Sequence, residues 1–287
     1  MKLILPALLL LAMSLPSQAA AAEHVHDDGV AAMAKEHKSD SPHATPIAGR
    51  PLAQKVYADY YDYFLKPDGK PVSGYLVRPF KNKLPAKLPG VILIHEWWGL
   101  NDNVEAMARQ LSSLGYLVLA VDLYNGVRAK TPDEAASNMK AALGDMDTTH
   151  ANLKAAYALL KAKGATRVGT MGWCFGGAMS LQATLAMPKE IDATVIYYGK
   201  LETDALKLAL LKKPVLGIFG GTDGGIPVES VRAFEATLKA QGTPVDINVY
   251  ADVGHAFANP SGKNYMAEAA EDAWNRTTRF LATNLKR

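Results

Sequence analysis

Short apolar runs separated by segments of helical periodicity constrain this chain more than any other feature of its sequence. Val91–Ile94, Leu117–Val121, Val168–Met171, Ala193–Tyr197, Val215–Phe219 and Val245–Tyr250 each have strand length. All but the last are almost continuously apolar, as in strands covered on both faces. Between them Val104, Met107, Ala108, Leu111 and Leu114 recur at helical spacing, with Asn101–Asn103 before the stripe and Gly115 beyond it. Leu153, Ala156, Tyr157 and Leu160 repeat the pattern up to Gly164, and Pro227 opens another stripe through Val228, Val231, Phe234 and Leu238. Met266, Ala269, Ala273 and Trp274 mark a C-terminal helix. This alternation predicts an α/β fold, a mostly parallel sheet with helices on both faces. Ahead of it, Val56–Phe64 and Val72–Arg78 flank a turn signal, Lys66-Pro67-Asp68-Gly69-Lys70, and predict an antiparallel hairpin at a sheet edge. Residues 54–287 are read as one domain.

Composition narrows the function classes. With 49% hydrophobic and 21% charged residues the chain has material for a core. A net charge of +3 without a basic run gives no case for nucleic acid. One cysteine excludes a disulfide framework and a Cys-rich zinc site. Residues 1–22 read as a secretory signal: Lys2, the apolar run Leu3–Leu15, then small residues permitting cleavage after Ala20 or Ala22. The run is shorter than the roughly 20 residues a spanning helix needs. A periplasmic or secreted protein with no membrane span in its mature form is expected. Residues 23–53 form a His-rich arm carrying His24, His26, His37 and His43 beside Asp27 and Asp28. His24-Val25-His26-Asp27-Asp28 holds metal-ligand residue types, yet the composition is that of a solvated linker without fixed structure. No metal and no other cofactor is expected, and removing Glu23–Pro46 is expected to leave activity on small esters unchanged.

The chemistry concentrates where strands end. Val168–Met171 runs into Gly172-Trp173-Cys174-Phe175-Gly176-Gly177 and then into a helix reaching Met187 before Pro188. This is the strand–turn–helix setting of a nucleophile elbow with Cys in the usual Ser position; the glycines leave room for a crowded turn, and the helix N-terminus favours a thiolate. A buried structural cysteine beside a Gly-rich turn is the alternative. Asp223 follows Val215–Phe219 and His255 follows Val245–Tyr250, each on a loop past a strand. The order Cys174, Asp223, His255 is the nucleophile–acid–base order of α/β-hydrolases, at the sheet edge where such folds carry their sites. Asp252 competes for the acid position but lies too near His255. After Val91–Ile94 comes His95-Glu96-Trp97-Trp98-Gly99-Leu100. With the hairpin counted as the first two strands, this loop supplies one oxyanion-hole amide, Trp97, and Phe175 supplies the other. Glu96 is placed to take or hold the thiol proton, and His95 is a second reading for the base.

His-Glu-Trp-Trp-Gly-Leu, Asp122-Leu123-Tyr124, Gly-Trp-Cys-Phe-Gly-Gly, Gly-Thr-Asp and Gly-His-Ala-Phe together resemble the dienelactone hydrolases (carboxymethylenebutenolidases), from about Tyr57 to the C-terminus. The resemblance implies an α/β-hydrolase fold, nucleophile Cys174, base His255 and orienting acid Asp223. It also implies a Glu96 that keeps the thiol from being a free thiolate until substrate arrives. Two departures stand out: the signal segment, and the arginines that hold a dienelactone carboxylate. Arg128 follows Leu123-Tyr124 at a displaced position, and Asn259 stands four residues after His255 where the family has arginine. An amide does not replace a bidentate guanidinium contact. Trp98, Tyr124, Arg128 and Asn259 are the candidate substrate contacts. The expectation is an exported monomer hydrolysing a small carboxylic ester or lactone. A thioesterase or other acyl hydrolase, and a non-catalytic exported metal- or ligand-binding protein, are the alternatives.

Overall fold

The structure, a computed structural model, describes residues 30–31, 33–40, 50–81, 84, 87–260 and 262–286. The expected signal segment, and His24, His26 and His43, lie outside the described residues. The expected hairpin is present as β1 (Val56–Leu65) and β2 (Pro71–Pro79). Phe64 pairs with Val72, Leu65 with Pro71, and the Lys66 N–H donates to the Lys70 carbonyl across the turn.

β3 (Leu88–Ile94), β4 (Leu117–Val121), β5 (Ala165–Trp173), β6 (Ala193–Tyr197), β7 (Val215–Gly220) and β8 (Val245–Tyr250) complete an 8-stranded sheet of order β1-β2-β4-β3-β5-β6-β7-β8. Pairings from β4 and β3 through to β8 are parallel, while β1–β2 and β2–β4 are antiparallel. Continuous apolar runs at β3 and β4 follow from burial of both faces, because successive side chains point to opposite sides of a sheet. Val91, Leu93, Val118 and Ala120 pack on one side with α1 (Asp102–Ser113) and the C-terminal helix α7 (Ala267–Leu285). Ile92, Ile94, Leu119 and Val121 pack on the other with α3 (Met146–Ala162) and α4 (Phe175–Ala186). A third apolar cluster joins β6 and β7 to α6 (Val228–Ala240), and a short α5 (Ala205–Leu208) lies between them in sequence.

Caps appear where the sequence places them: the Asn101 side chain accepts from the Val104 N–H, and Pro227 precedes α6. The short α5 and one longer helix, α2 (Pro132–Gly144), have no counterpart in the sequence reading. Helix α2 buries only Ala135, Met139 and Ala142, so its apolar stripe is too thin and too small to register as a period.

Topology sets the loops after β3, β5, β7 and β8 side by side at the carboxyl edge of the sheet. The contact is closest at the β5–α4 turn. A Cβ on Gly172 would collide with the Gly176 backbone, and one on Gly176 with the carbonyl oxygens of Ile94 and His95. Gly176→Ala should therefore force the end of β3 away from the turn and cost at least about 2–3 kcal/mol. Urea unfolding checks this, and a loss below about 1 kcal/mol would contradict the tight packing.

Candidate active site

Cys174 sits at the turn between β5 and α4 with φ +54° and ψ −117°, a conformation L residues rarely adopt. Its N–H donates to the Tyr197 carbonyl on β6, and its carbonyl accepts the Ala178 N–H of α4. The chain is pinned on both sides of the sulfur. The Phe175 N–H, in the first turn of α4, has no acceptor within the helix.

The three residues read from sequence converge here. His255 Nε2 lies 3.2 Å from Cys174 Sγ, and His255 Nδ1 lies 2.7 Å from Asp223 Oδ2. All three are buried. The other oxygen, Asp223 Oδ1, accepts the Gly225 and Ile226 N–H groups, which fixes the carboxylate. The Tyr198 ring packs against the imidazole at 5.2 Å. Asp252, the competing acid, is exposed in the turn after β8. Burial alone would push the Cys174 thiol up, but His255 beside it, and then His37, outweigh this and bring it down to about 6. Burial likewise opposes the charged form of His255, yet Cys174 and Asp223 raise it to about 10. Each of the two groups therefore favours the charged form of the other.

The loop after β3 divides its residues between structure and site. His95 is fully buried, its Nδ1 2.8 Å from the Glu96 carbonyl and its Nε2 accepting the Leu123 N–H. Both ring nitrogens are used on backbone, so the neutral ring ties β3 to the end of β4 and is no base for Cys174. Glu96 is buried, with no hydrogen-bond partner on Oε2 among the described residues. Burial pushes its carboxyl up; nearby His37 opposes this and Cys174 adds to it, leaving it at about 7. The Trp97 backbone lies in the turn that follows.

The expected substrate contacts separate. Trp98 and Tyr124 are packed in the interior, with Tyr124 against His95 and Phe175 at 4.5 and 5.4 Å. Arg128 is ion-paired to Asp102 and Glu105 and donates to the Tyr60 hydroxyl, beside a different cavity that it lines with Tyr60 and Asp122. Those carboxylates hold it there, and it does not line the cavity shared by Glu96, Trp173 and Tyr198. Asn259 lines the cavity next to the thiol loop, together with Glu96, Trp173, Tyr198 and Trp274.

The largest departure from the sequence reading is the arm. Residues 30–31 and 33–36 are helical, and Val30, Met33 and Ala34 pack on the core. His37 is fully buried, with Nδ1 2.8 Å from Asp40, Nε2 3.8 Å from Cys174 Sγ and its ring stacked on Trp97 at 5.3 Å. Met33 Sδ lies 3.5 Å from Cys174 Sγ. Glu36 accepts from Asn264 and Asp40 from the Lys263 N–H, which docks the turn on the loop after His255. Burial opposes the charged form of His37, but Asp40 and then Cys174 raise it to about 9. The arm is thus structured over residues 30–31 and 33–40. The missed signal was the spacing of Val30, Met33, Ala34 and His37, one helical face within an otherwise polar stretch.

Comparison with known proteins agrees with this geometry. A model of the dienelactone hydrolase family matches residues 72–285. "Protein usf" of Aquifex pyrophilus is 32% identical over 222 residues, covering 75% of this chain and 94% of that protein. A Saccharolobus solfataricus protein named "Putative carboxymethylenebutenolidase" is 29% identical over 257 residues, 77% of this chain and 97% of its own. The crystal structure of a dienelactone hydrolase-like promiscuous phosphotriesterase from metagenomic libraries shares the fold, with a TM-score of 0.71 and 22% identity over 80% of this chain and 98% of that one. Among the described residues no helix is long and apolar enough to cross a membrane. The eight-stranded sheet, the Cys-bearing turn and the matched span lead to one conclusion: the chain belongs to the dienelactone hydrolase family and is a hydrolase.

Proposed function

We propose that this hydrolase cleaves uncharged carboxylic esters or lactones through an acyl-Cys174 intermediate. The observation that carries the reading is the hydrogen-bonded chain from Asp223 through His255 to Cys174, with 2.7 and 3.2 Å links, at the strained turn. The thiolate sulfur attacks the carbonyl carbon, and the carbonyl electron pair moves onto oxygen, where the Trp97 and Phe175 amides receive it. Collapse expels the alkoxide, which takes the Nε2 proton of His255. Water then attacks the thioester, its proton passes to His255, and the thiolate leaves. Asp223 holds the imidazole in the orientation both proton transfers need. Glu96, buried with its carboxyl raised to about 7, stands beside the Cys174–His255 pair, while the proton of the resting thiol is the one that His255 carries and returns.

The cavity lined by Trp173, the residue before Cys174, and by Tyr198, which packs on His255, supports an uncharged acyl group. Its lining is mostly aromatic and apolar, with Glu96 as its ionisable carboxyl and no lysine or arginine among the described lining residues. Placing a substrate carboxylate there without a cation would cost several kcal/mol, on the order of the penalty for an unpaired buried charge.

Cys174→Ala should abolish turnover of a lactone methyl ester while leaving the fold intact by circular dichroism. In the wild type, kcat/KM for the methyl ester should equal or exceed that for the free acid. Retained activity in the variant would remove Cys174 from the chemistry, and a strong preference for the acid would overturn the uncharged-substrate reading.

Alkylation of Cys174 by iodoacetamide should stay fast down to pH of about 6 and slow below it, since the thiolate is lost as pH falls through that value. In His255→Gln this limb should move up towards the ordinary thiol range of about 8.5, because the larger of the two imidazole contributions that hold the thiol down is gone. An unchanged limb would separate His255 from the thiolate.

A further inference from the structure

Two imidazoles, not one, face the Cys174 sulfur. His255 Nε2 is 3.2 Å away and His37 Nε2 3.8 Å, and these three donor atoms all lie within 4.8 Å of one another. Each ring is oriented by a buried carboxylate on its far nitrogen, Asp223 at 2.7 Å and Asp40 at 2.8 Å. In the neutral ring the Nδ1–H donates to that carboxylate and the Nε2 lone pair points at sulfur. Histidines that ligate metals are held in this way. Met33 Sδ, 3.5 Å from Sγ, adds a thioether next to the sulfur. Bonds of about 2.3 Å to sulfur and about 2.0 Å to nitrogen put the two donors roughly 3.5 Å apart around a tetrahedral ion. The observed S···N distances fall on either side of that value. Acyl transfer uses one histidine and one carboxylate, so the His37–Asp40 pair is left over.

We propose that Cys174, His37 and His255, with Met33 as a weak fourth ligand, form a binding site for a copper ion. The donor chemistry selects the ion. Two imidazoles, one thiolate and a distant thioether are the set that holds copper in small blue proteins, whereas calcium and magnesium require oxygen ligands. The ligands come from the N-terminal turn, the β5–α4 turn and the loop after β8. Bound copper would therefore clamp the turn of residues 33–40 onto the sulfur. It would also engage the electron pair that attacks the substrate, so hydrolysis stops while the ion is present. That last consequence rests on Cys174 being the nucleophile; the binding itself does not.

The test uses the intact protein, anaerobically, with Cu(I) in competition with a chromophoric chelator and Co(II) as an optical probe, while p-nitrophenyl acetate reports hydrolysis. One Cu(I) per chain is expected, with a thiolate-to-cobalt charge-transfer band that prior iodoacetamide treatment removes. Added copper should stop hydrolysis, and chelator should restore it. His37→Gln should weaken Cu(I) binding at least about 100-fold, and Asp40→Asn, which keeps all ligands, about 10–100-fold. Unchanged affinity in both variants would overturn the proposal, because the ion would then sit without the arm. No stoichiometric binding in protein that turns over the ester would overturn it while leaving the hydrolase intact. A cobalt–thiolate band sensitive to His37→Gln, in protein that hydrolyses no ester, would support the copper site and sink the acyl-transfer reading instead.

Discussion

The turn at Cys174 is the constraint around which the rest is arranged. A side chain held at φ +54° is strained by roughly 1–3 kcal/mol, and it persists only if its surroundings permit no other path. Those surroundings are specific. The end of β3 presses on Gly176, the β6 carbonyl of Tyr197 takes the Cys174 N–H, and α4 begins at once on the far side. The β3, β5 and β6 strands are buried on both faces, so the turn is anchored in the least deformable part of the molecule. The strain lifts Sγ to the sheet edge, where the β7 and β8 loops deliver Asp223 and His255.

Burial then converts proximity into strong electrostatic coupling. Cys174, His255, His37 and Glu96 all lie beneath the surface, where water screens little. The sulfur is pulled down because two imidazoles can be positive, and each imidazole is held up because the sulfur can be negative. Their protons belong to the group rather than to any single residue. His95, equally buried and one residue from Glu96, is excluded from this exchange because both its nitrogens are bound to backbone. The difference between a structural and a chemical histidine lies in what the second nitrogen meets.

Much of this was legible in the sequence because it is encoded locally. Apolar runs at β3 and β4 report burial of both faces; Lys66–Lys70 reports a turn; Gly172 and Gly176 around Cys174 report crowding at a strand–helix junction. The order of Cys174, Asp223 and His255, each past a strand, is a linear signature of a topology, and the sheet order brings the three together. What escaped were features whose meaning is not local. Helix α2 buries too little to leave a period. Arg128 follows Leu123-Tyr124 at a displaced position, and its own neighbours in sequence do not announce that Asp102 and Glu105 pair with it from α1. Trp98 and Tyr124 are amphipathic, so the sequence cannot say whether they face substrate or core; packing put them inside.

The N-terminal arm marks the boundary between the two kinds of information. Read alone, four histidines among polar residues are a solvated tract, since a stretch with one narrow apolar face cannot bury enough surface to fold by itself. On the finished domain the same face has somewhere to go. Val30, Met33 and Ala34 find apolar neighbours, and Glu36 and Asp40 find donors at Asn264 and Lys263, more than two hundred residues along the chain. Local pattern determined the strands, the turn that carries Cys174 and the chemistry it belongs to. Only the tertiary structure decided that a second histidine reaches the sulfur, because the surface that orders His37 does not exist until the sheet has brought its distant loops together.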